Sequence, residues 1–131
     1  MTSVYVDTSA LARVLLTESD SAAVLSALDD FDHLVSSGLL RVELRRVALR
    51  HGALEEADAL LADVALVPVD DAVLAAAETV PPENVATLDA IHLVTALRLT
   101  EGGDLDALMT YDERLAAGAA HHGLRVIAPR G

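Results

Sequence analysis

The sequence has 131 residues, 53% of them hydrophobic, enough apolar material for one ordinary globular domain with its own core over residues 1–131. It has no cysteine, which excludes disulfides, thiolate metal sites and thiol nucleophiles. Its formal net charge of -12 opposes polyanion binding, because affinity for nucleic acid comes mainly from basic side chains at phosphates.

In chain order, Val4 to Asp7 reads as a short buried strand ending at a carboxylate. Thr8 or Ser9 then caps a helix through Leu11, Val14 and Leu15. A second helix starts near Ser19 to Ser21 and carries Val24, Leu25 and Leu28. Asp29, Asp30 and Asp32 mark a turn, and His33 to Ser36 is a strand candidate. Gly38 to His51 is periodic like a helix and stops at Gly52, and Glu55 to Asp63 forms the next helix. Leu66 to Val69 reads as a strand closing on Asp70, Ala72 to Thr79 as a helix, and Pro81-Pro82 as a breaker. Thr87 to Leu99 is helical. Ala107 to Thr110 and Arg125 to Ala128 are short strands with a helix, Asp112 to Ala120, between them. Alternating helices and short strands that are apolar on both faces point to a mostly parallel sheet covered by helices. The amino terminus lacks the basic and apolar regions of a signal peptide, and no apolar run is long enough to span a bilayer. A soluble cytoplasmic protein without membrane contact is expected.

Four of the 21 acidic residues stand out by their surroundings. Asp7 and Asp112 each follow a strand and precede a helix, the edge of an open α/β sheet where ligands collect, although either residue also suits a helix cap. Glu43 has Leu39, Leu40 and Val47 as helical neighbours, which places it on a core-facing stripe. A partner is then required, and Arg46 one turn later is one choice. Asp89 opens an apolar helix whose dipole welcomes negative charge. If the four converge, their repulsion raises their pKa values unless hard cations such as Mg²⁺ or Mn²⁺ sit among them, and oxygen-only ligation disfavours zinc.

These residues resemble PIN domains, and within them the VapC-type toxins of toxin–antitoxin systems. The likeness spans essentially the whole chain. It rests on Val4-Tyr5-Val6-Asp7-Thr8-Ser9-Ala10-Leu11, Glu43, Leu88-Asp89-Ala90-Ile91-His92-Leu93 and Thr110-Tyr111-Asp112-Glu113-Arg114-Leu115, in that order. The resemblance implies a three-layer α/β/α sandwich with a central parallel sheet of four to five strands. It also implies a Mg²⁺-dependent endoribonuclease, with Mn²⁺ as a substitute, that uses Asp7, Glu43, Asp89 and Asp112 as its acidic quartet. Thr8 would orient Asp7 or touch the metal shell, and Thr110 would hold water or a phosphate oxygen. The implied partners are an RNA substrate, a second copy in a homodimer and a cognate VapB-type antitoxin. The antitoxin's terminal helix would lie in a groove near Leu11 to Leu16 and Leu39 to Leu49.

Other residues are assigned plainer roles. His92, three residues after Asp89, is read as a packing residue or a support behind the acids, since a metal-activated water needs no histidine base. His121 and His122 read as a solvated helix end, and Arg114 as a surface residue near the pocket. All nine basic residues are arginine, and Arg41, Arg45, Arg46 and Arg50 share one stretch, so a locally basic face is compatible with the acidic total. Phosphoacceptor folds are disfavoured because the chain has no lysine and no second aspartate two residues after Asp7. A P-loop is excluded on the same lysine and on the lack of a glycine-rich loop. The competing class is a non-catalytic RNA- or protein-binding module of the same fold.

Overall fold

In a computed structural model, which describes residues 2–131, strand alternation sorts the core into two halves. β1 (Ser3–Val6) turns Val4 and Val6 to one side and Tyr5 to the other, all fully buried. β1 is flanked by β2 (His33–Ser37) and β4 (Ala107–Met109), with β3 (Val64–Val67) beyond β2 and β5 (Val126–Ile127) beyond β4. Every pairing is parallel, and the order is β3-β2-β1-β4-β5. All five strands therefore end on the same edge.

Val4 and Val6 pack with α1 (Thr8–Leu15), α2 (Ser21–Leu28), α3 (Leu39–His51) and α4 (Leu54–Leu61), through Leu11, Val24, Leu44 and Ala57 among others. On the opposite face Tyr5 and Leu108 pack with α6 (Thr87–Glu101) and α7 (Glu113–His121), through Leu93 and Leu115. α5 (Asp71–Ala77) lies against α6. The expected three-layer sandwich with a parallel sheet is the fold found, its five strands short and its helices on both faces. Among the described residues no helix is long and apolar enough to cross a membrane.

Three details depart from the sequence expectation. β3 lies two residues earlier than 66–69, because its register is dictated by β2, from Leu34 opposite Val64 to Ser37 opposite Val67. Asp70, expected to close that strand, instead caps α5 by accepting the Val73 N–H at 2.8 Å. The buried line of α3 is Leu40, Leu44 and Ala48, while Leu39 and Val47 are half-buried. Glu43 thus occupies a flank of that helix and not its core stripe. Gly52 ends α3 as expected, in the left-handed region at φ 65°.

The loop before α6 is fixed by a close approach. A Cβ on Gly118 of α7 would meet Val85 Cγ2 at 2.8 Å, so a bare glycine lets the segment preceding α6 settle on α7. That contact anchors the start of the helix carrying Asp89.

Candidate metal centre

The sheet order reverses at β1, since β2 lies on one side and β4 on the other. The crevice at their carboxyl ends is where ligands bind in open α/β sheets. Asp7 leaves β1 there and is 3% exposed. Its Oδ2 accepts from the Ser9 hydroxyl at 2.7 Å and the Thr110 hydroxyl at 2.8 Å, with the Ser9 N–H at 3.4 Å. The helix-cap reading of Asp7 is met by one oxygen, Oδ2. Its Oδ1 stands 3.7 Å from His92 Nε2.

The Thr110 hydroxyl donates to Asp7 and accepts the Asp112 N–H at 3.0 Å. Asp112 caps α7 by accepting the Leu115 N–H at 2.8 Å. Thr8 does not orient Asp7: it donates to Glu43 Oε1 at 2.8 Å. The same oxygen accepts from His92 Nε2 at 2.6 Å. Glu43 is therefore paired with His92, while Arg46 is exposed. Burial opposes the Glu43 charge, but the hydrogen bonds from His92 and Thr8 outweigh it and hold its pKa below the usual value.

His92 is fully buried, and its Nδ1 meets the Tyr5 hydroxyl at 2.6 Å. Tyr5 in turn accepts the Ser37 N–H at 3.1 Å. With Glu43 ionised, Nε2 is the donor in either charge state of the ring. In the neutral ring Nδ1 then accepts from Tyr5, which burial keeps protonated by pushing its pKa up. Burial also works against a charge on His92, yet Glu43, Asp7 and Asp89 together raise its pKa. The expectation of His92 as a support behind the acids agrees with this geometry. Tyr5 and Ser9 were missed as site residues. The available signal for Tyr5 was that a buried phenol needs a partner.

Asp89 carries the clearest electrostatic mark. Its pKa is pushed up to about 6, first by partial burial, then by Asp7 and Asp112, with Glu43 adding and His92 opposing. Asp7, Asp112 and Glu43 thus all lie within electrostatic reach of Asp89. Elsewhere, His122 Nε2 meets the Pro81 carbonyl at 2.6 Å and is not simply solvated, whereas His121 and Arg114 are exposed.

Among the described residues no three His, Cys, Asp or Glu side chains form a ready ligand cage. The donor set nevertheless fits a hard divalent ion. It is all oxygen and carries more negative charge than His92 alone can offset, and Mg²⁺ ordinarily takes one or two carboxylates and fills its sphere with water.

A profile of the PIN domain matches residues 4–127. Ribonuclease VapC46 of Mycobacterium tuberculosis is 40% identical over 131 residues, covering 98% of this chain and 99% of the relative. Ribonuclease VapC47 of the same species is 35% identical over 133 residues, covering 96% of each. In three dimensions the chain is similar to M. tuberculosis VapC20, a toxin described as cleaving the sarcin–ricin loop, with TM-score 0.74, 15% identity and coverage of 96% and 99%. It is also similar to a chain of a toxin–antitoxin complex from Klebsiella pneumoniae, with TM-score 0.70, 18% identity and coverage of 96% and 97%. At those identities the two structures speak for the fold.

Between pH 3.8 and about 6 the native Asp89 holds a proton that the unfolded chain lacks, so this group's contribution to stability falls as pH rises through that window. Asp89→Asn should therefore stabilise the chelator-treated protein at pH 7.5 by about 1 kcal/mol, discounted for half exposure, or roughly 2–4 °C in thermal melts. The gain should vanish near pH 4. Tyr5→Phe strands the Ser37 N–H and leaves His92 Nδ1 without its hydroxyl partner, so the ring that holds Glu43 is less firmly placed. The expected cost is about 1–3 kcal/mol in urea titrations, with a loss of about tenfold or more in Mn²⁺ affinity. An unchanged Mn²⁺ affinity would show that the phenol does not act through Glu43.

Proposed function

The chain belongs to the PIN-domain family, in its VapC-type branch, and from that premise we propose that it is a divalent-metal-dependent endoribonuclease, the toxin of a toxin–antitoxin pair. The observation that carries the reading is the gathering of Asp7, Asp112 and Glu43 around Asp89, whose pKa is raised to about 6 by partial burial first and then by these acidic neighbours. Such a charge excess at a sheet's ligand-binding edge is what a Mg²⁺ or Mn²⁺ site requires. The names of the relatives support RNA as the substrate and an antitoxin as the partner.

In this proposal Asp7, through Oδ1, and Asp89 and Asp112 hold the ion, with Glu43 at its edge. A bound ion would acidify a water and offset charge on the departing oxygen of a phosphodiester. The protein's own part is orientation. Ser9 and Thr110 fix one Asp7 oxygen, which leaves Oδ1 free of those bonds. Thr8 and His92 fix Glu43, and the caps on α1 and α7 fix the backbone that delivers Asp7 and Asp112.

RNA must still approach a chain of net charge -12. On α3, Arg46 and Arg50 follow Glu43 by three and seven residues, so they lie on the same flank of the helix, and both are exposed. Arg45 pairs with Asp58 of α4, and the nearby Arg41 also acts on Asp58. Half of the basic cluster is thus committed within the protein, and Arg46 and Arg50 remain as phosphate contacts beside the acids. The outer face of α3 also exposes Val42 and Leu49, at 59% and 55%. These suit the apolar side of a VapB-type antitoxin helix, and the toxin is proposed to work as a homodimer.

Asp7→Asn tests the proposal, because asparagine keeps the cap acceptor and removes the charge. Mg²⁺-dependent RNA cleavage should fall at least about a hundredfold while circular dichroism and melting cooperativity are retained. Cleavage at the wild-type rate would contradict the assignment. Removing both Arg46 and Arg50 should raise KM and flatten its salt dependence, leaving kcat nearly unchanged.

A further inference from the structure

We propose that the cavity between α1 and the turn from β4 to α7 is a nucleobase subsite. There a base flanking the scissile phosphate stacks on the Arg13 guanidinium, which is backed by Tyr111. The inference rests on the ribonuclease reading and adds where the substrate lies. The cavity, of about 390 Å³, is lined by Ser9, Ala12, Arg13, Leu16, Tyr111 and Asp112, with Glu18 at its edge. Two of those residues belong to the acid site itself, so an occupant would sit directly beside the reacting phosphate.

The platform is built from both sides. Arg13 Cζ lies 4.1 Å from the Tyr111 ring centroid, and its Nη1 pairs with Asp20 Oδ2 at 3.2 Å. The guanidinium is therefore held at one nitrogen by Asp20 and lies over the Tyr111 ring, while its side chain keeps 33% exposure. Tyr111 is held as firmly. Its N–H donates to Ser9 Oγ at 2.8 Å, its hydroxyl donates to the Pro129 carbonyl, and a second guanidinium, Arg130, lies 5.8 Å from its ring. The Ser9 hydroxyl that receives Tyr111 also donates to Asp7 at 2.7 Å. One side chain thus fixes the stacking surface relative to the first acid of the site.

The chemistry of this surface selects the ligand. Asp20 already balances the Arg13 charge and Glu18 stands at the edge, so a free phosphate gains little here. A flat, neutral π system gains a cation plane below it and the apolar Ala12 and Leu16 beside it. Unstacked bases of single-stranded RNA are recognised in this way, on arginine planes and aromatic rings. The chain has only three Phe and Tyr residues in total, and this one borders the acids.

The test is binding of a short single-stranded oligoribonucleotide carrying 2-aminopurine to the Asp7→Asn protein in Mg²⁺, read by fluorescence quenching. Arg13→Ala should weaken binding about tenfold and abolish the quenching. Arg13→Lys, which keeps the charge opposite Asp20 but loses the plane, should abolish the quenching too, and thermal melts would confirm that both variants fold. In the cleaving protein Arg13→Ala should raise KM more than it lowers kcat. Unchanged affinity and quenching in both variants, with wild-type cleavage intact, would overturn the subsite and leave the ribonuclease reading standing. Arg13-dependent quenching in a protein that does not cleave RNA would support the subsite and remove the ribonuclease reading. Variants that lose only a protein partner would overturn the proposal in favour of a protein contact.

Discussion

Mutual repulsion among carboxylates gathered at the carboxyl edge of a parallel sheet sets the terms for the rest of the structure. Parallel pairing sends β1 and β4 out on the same side, and each strand is followed at once by a helix that needs a cap. Asp7 and Asp112 meet that need. The fold's own capping requirement therefore brings two like charges into one crevice, and α6 and α3 add Asp89 and Glu43. The cost shows at Asp89, whose pKa rises to about 6 through partial burial first and repulsion by Asp7 and Asp112 second. Folding tolerates the arrangement because a small excess of charge at an open edge costs little beside a core that runs through both helical layers.

Neutral and cationic groups divide the work of holding these acids. Hydroxyls of Ser9, Thr110 and Thr8 bind the outer carboxylate oxygens without cancelling charge. Among the side chains that hydrogen-bond these acids only His92 can contribute a positive charge, and it is held in place by Tyr5, which packs on the same face of the sheet as α6. The alternation of β1 makes this possible, because Tyr5 and Asp7 share one parity of the strand while Val4 and Val6 fill the other side. A single short strand thus supplies a core anchor, a support for the histidine and the first acid.

Much of this was legible in the sequence because it is local. Strand, carboxylate and helix follow one another within a few residues at Asp7 and at Asp112, and Gly52 stops α3 where a left-handed residue is needed. The β3 boundary was misplaced because the apolar run from Val64 to Val69 offers several windows. The choice among them is made by β2, a partner thirty residues away. The hydrogen-bond web was illegible for the same reason. Thr8 to Glu43 spans 35 residues, Tyr5 to His92 spans 87, and Thr110 to Asp7 spans 103. Helical periodicity placed Glu43 on the core stripe, whereas the fold turned Leu40, Leu44 and Ala48 inward and left the glutamate where His92 could reach it.

An acidic protein that handles RNA has to confine its positive charge to a few places, and here the uncommitted arginines beside the acids are few. In the proposed ribonuclease a divalent ion would have a double task, neutralising the four acids as well as assisting the chemistry, so that proposal depends on its binding. Calorimetric titration of Mn²⁺ into chelator-treated protein at pH 7.5 and at pH 5 measures this directly. Binding at pH 7.5 that weakens severalfold or more at pH 5, as Asp89 takes up its proton, is the expected result. No binding at millimolar Mn²⁺, or an affinity indifferent to that change in pH, would contradict the account.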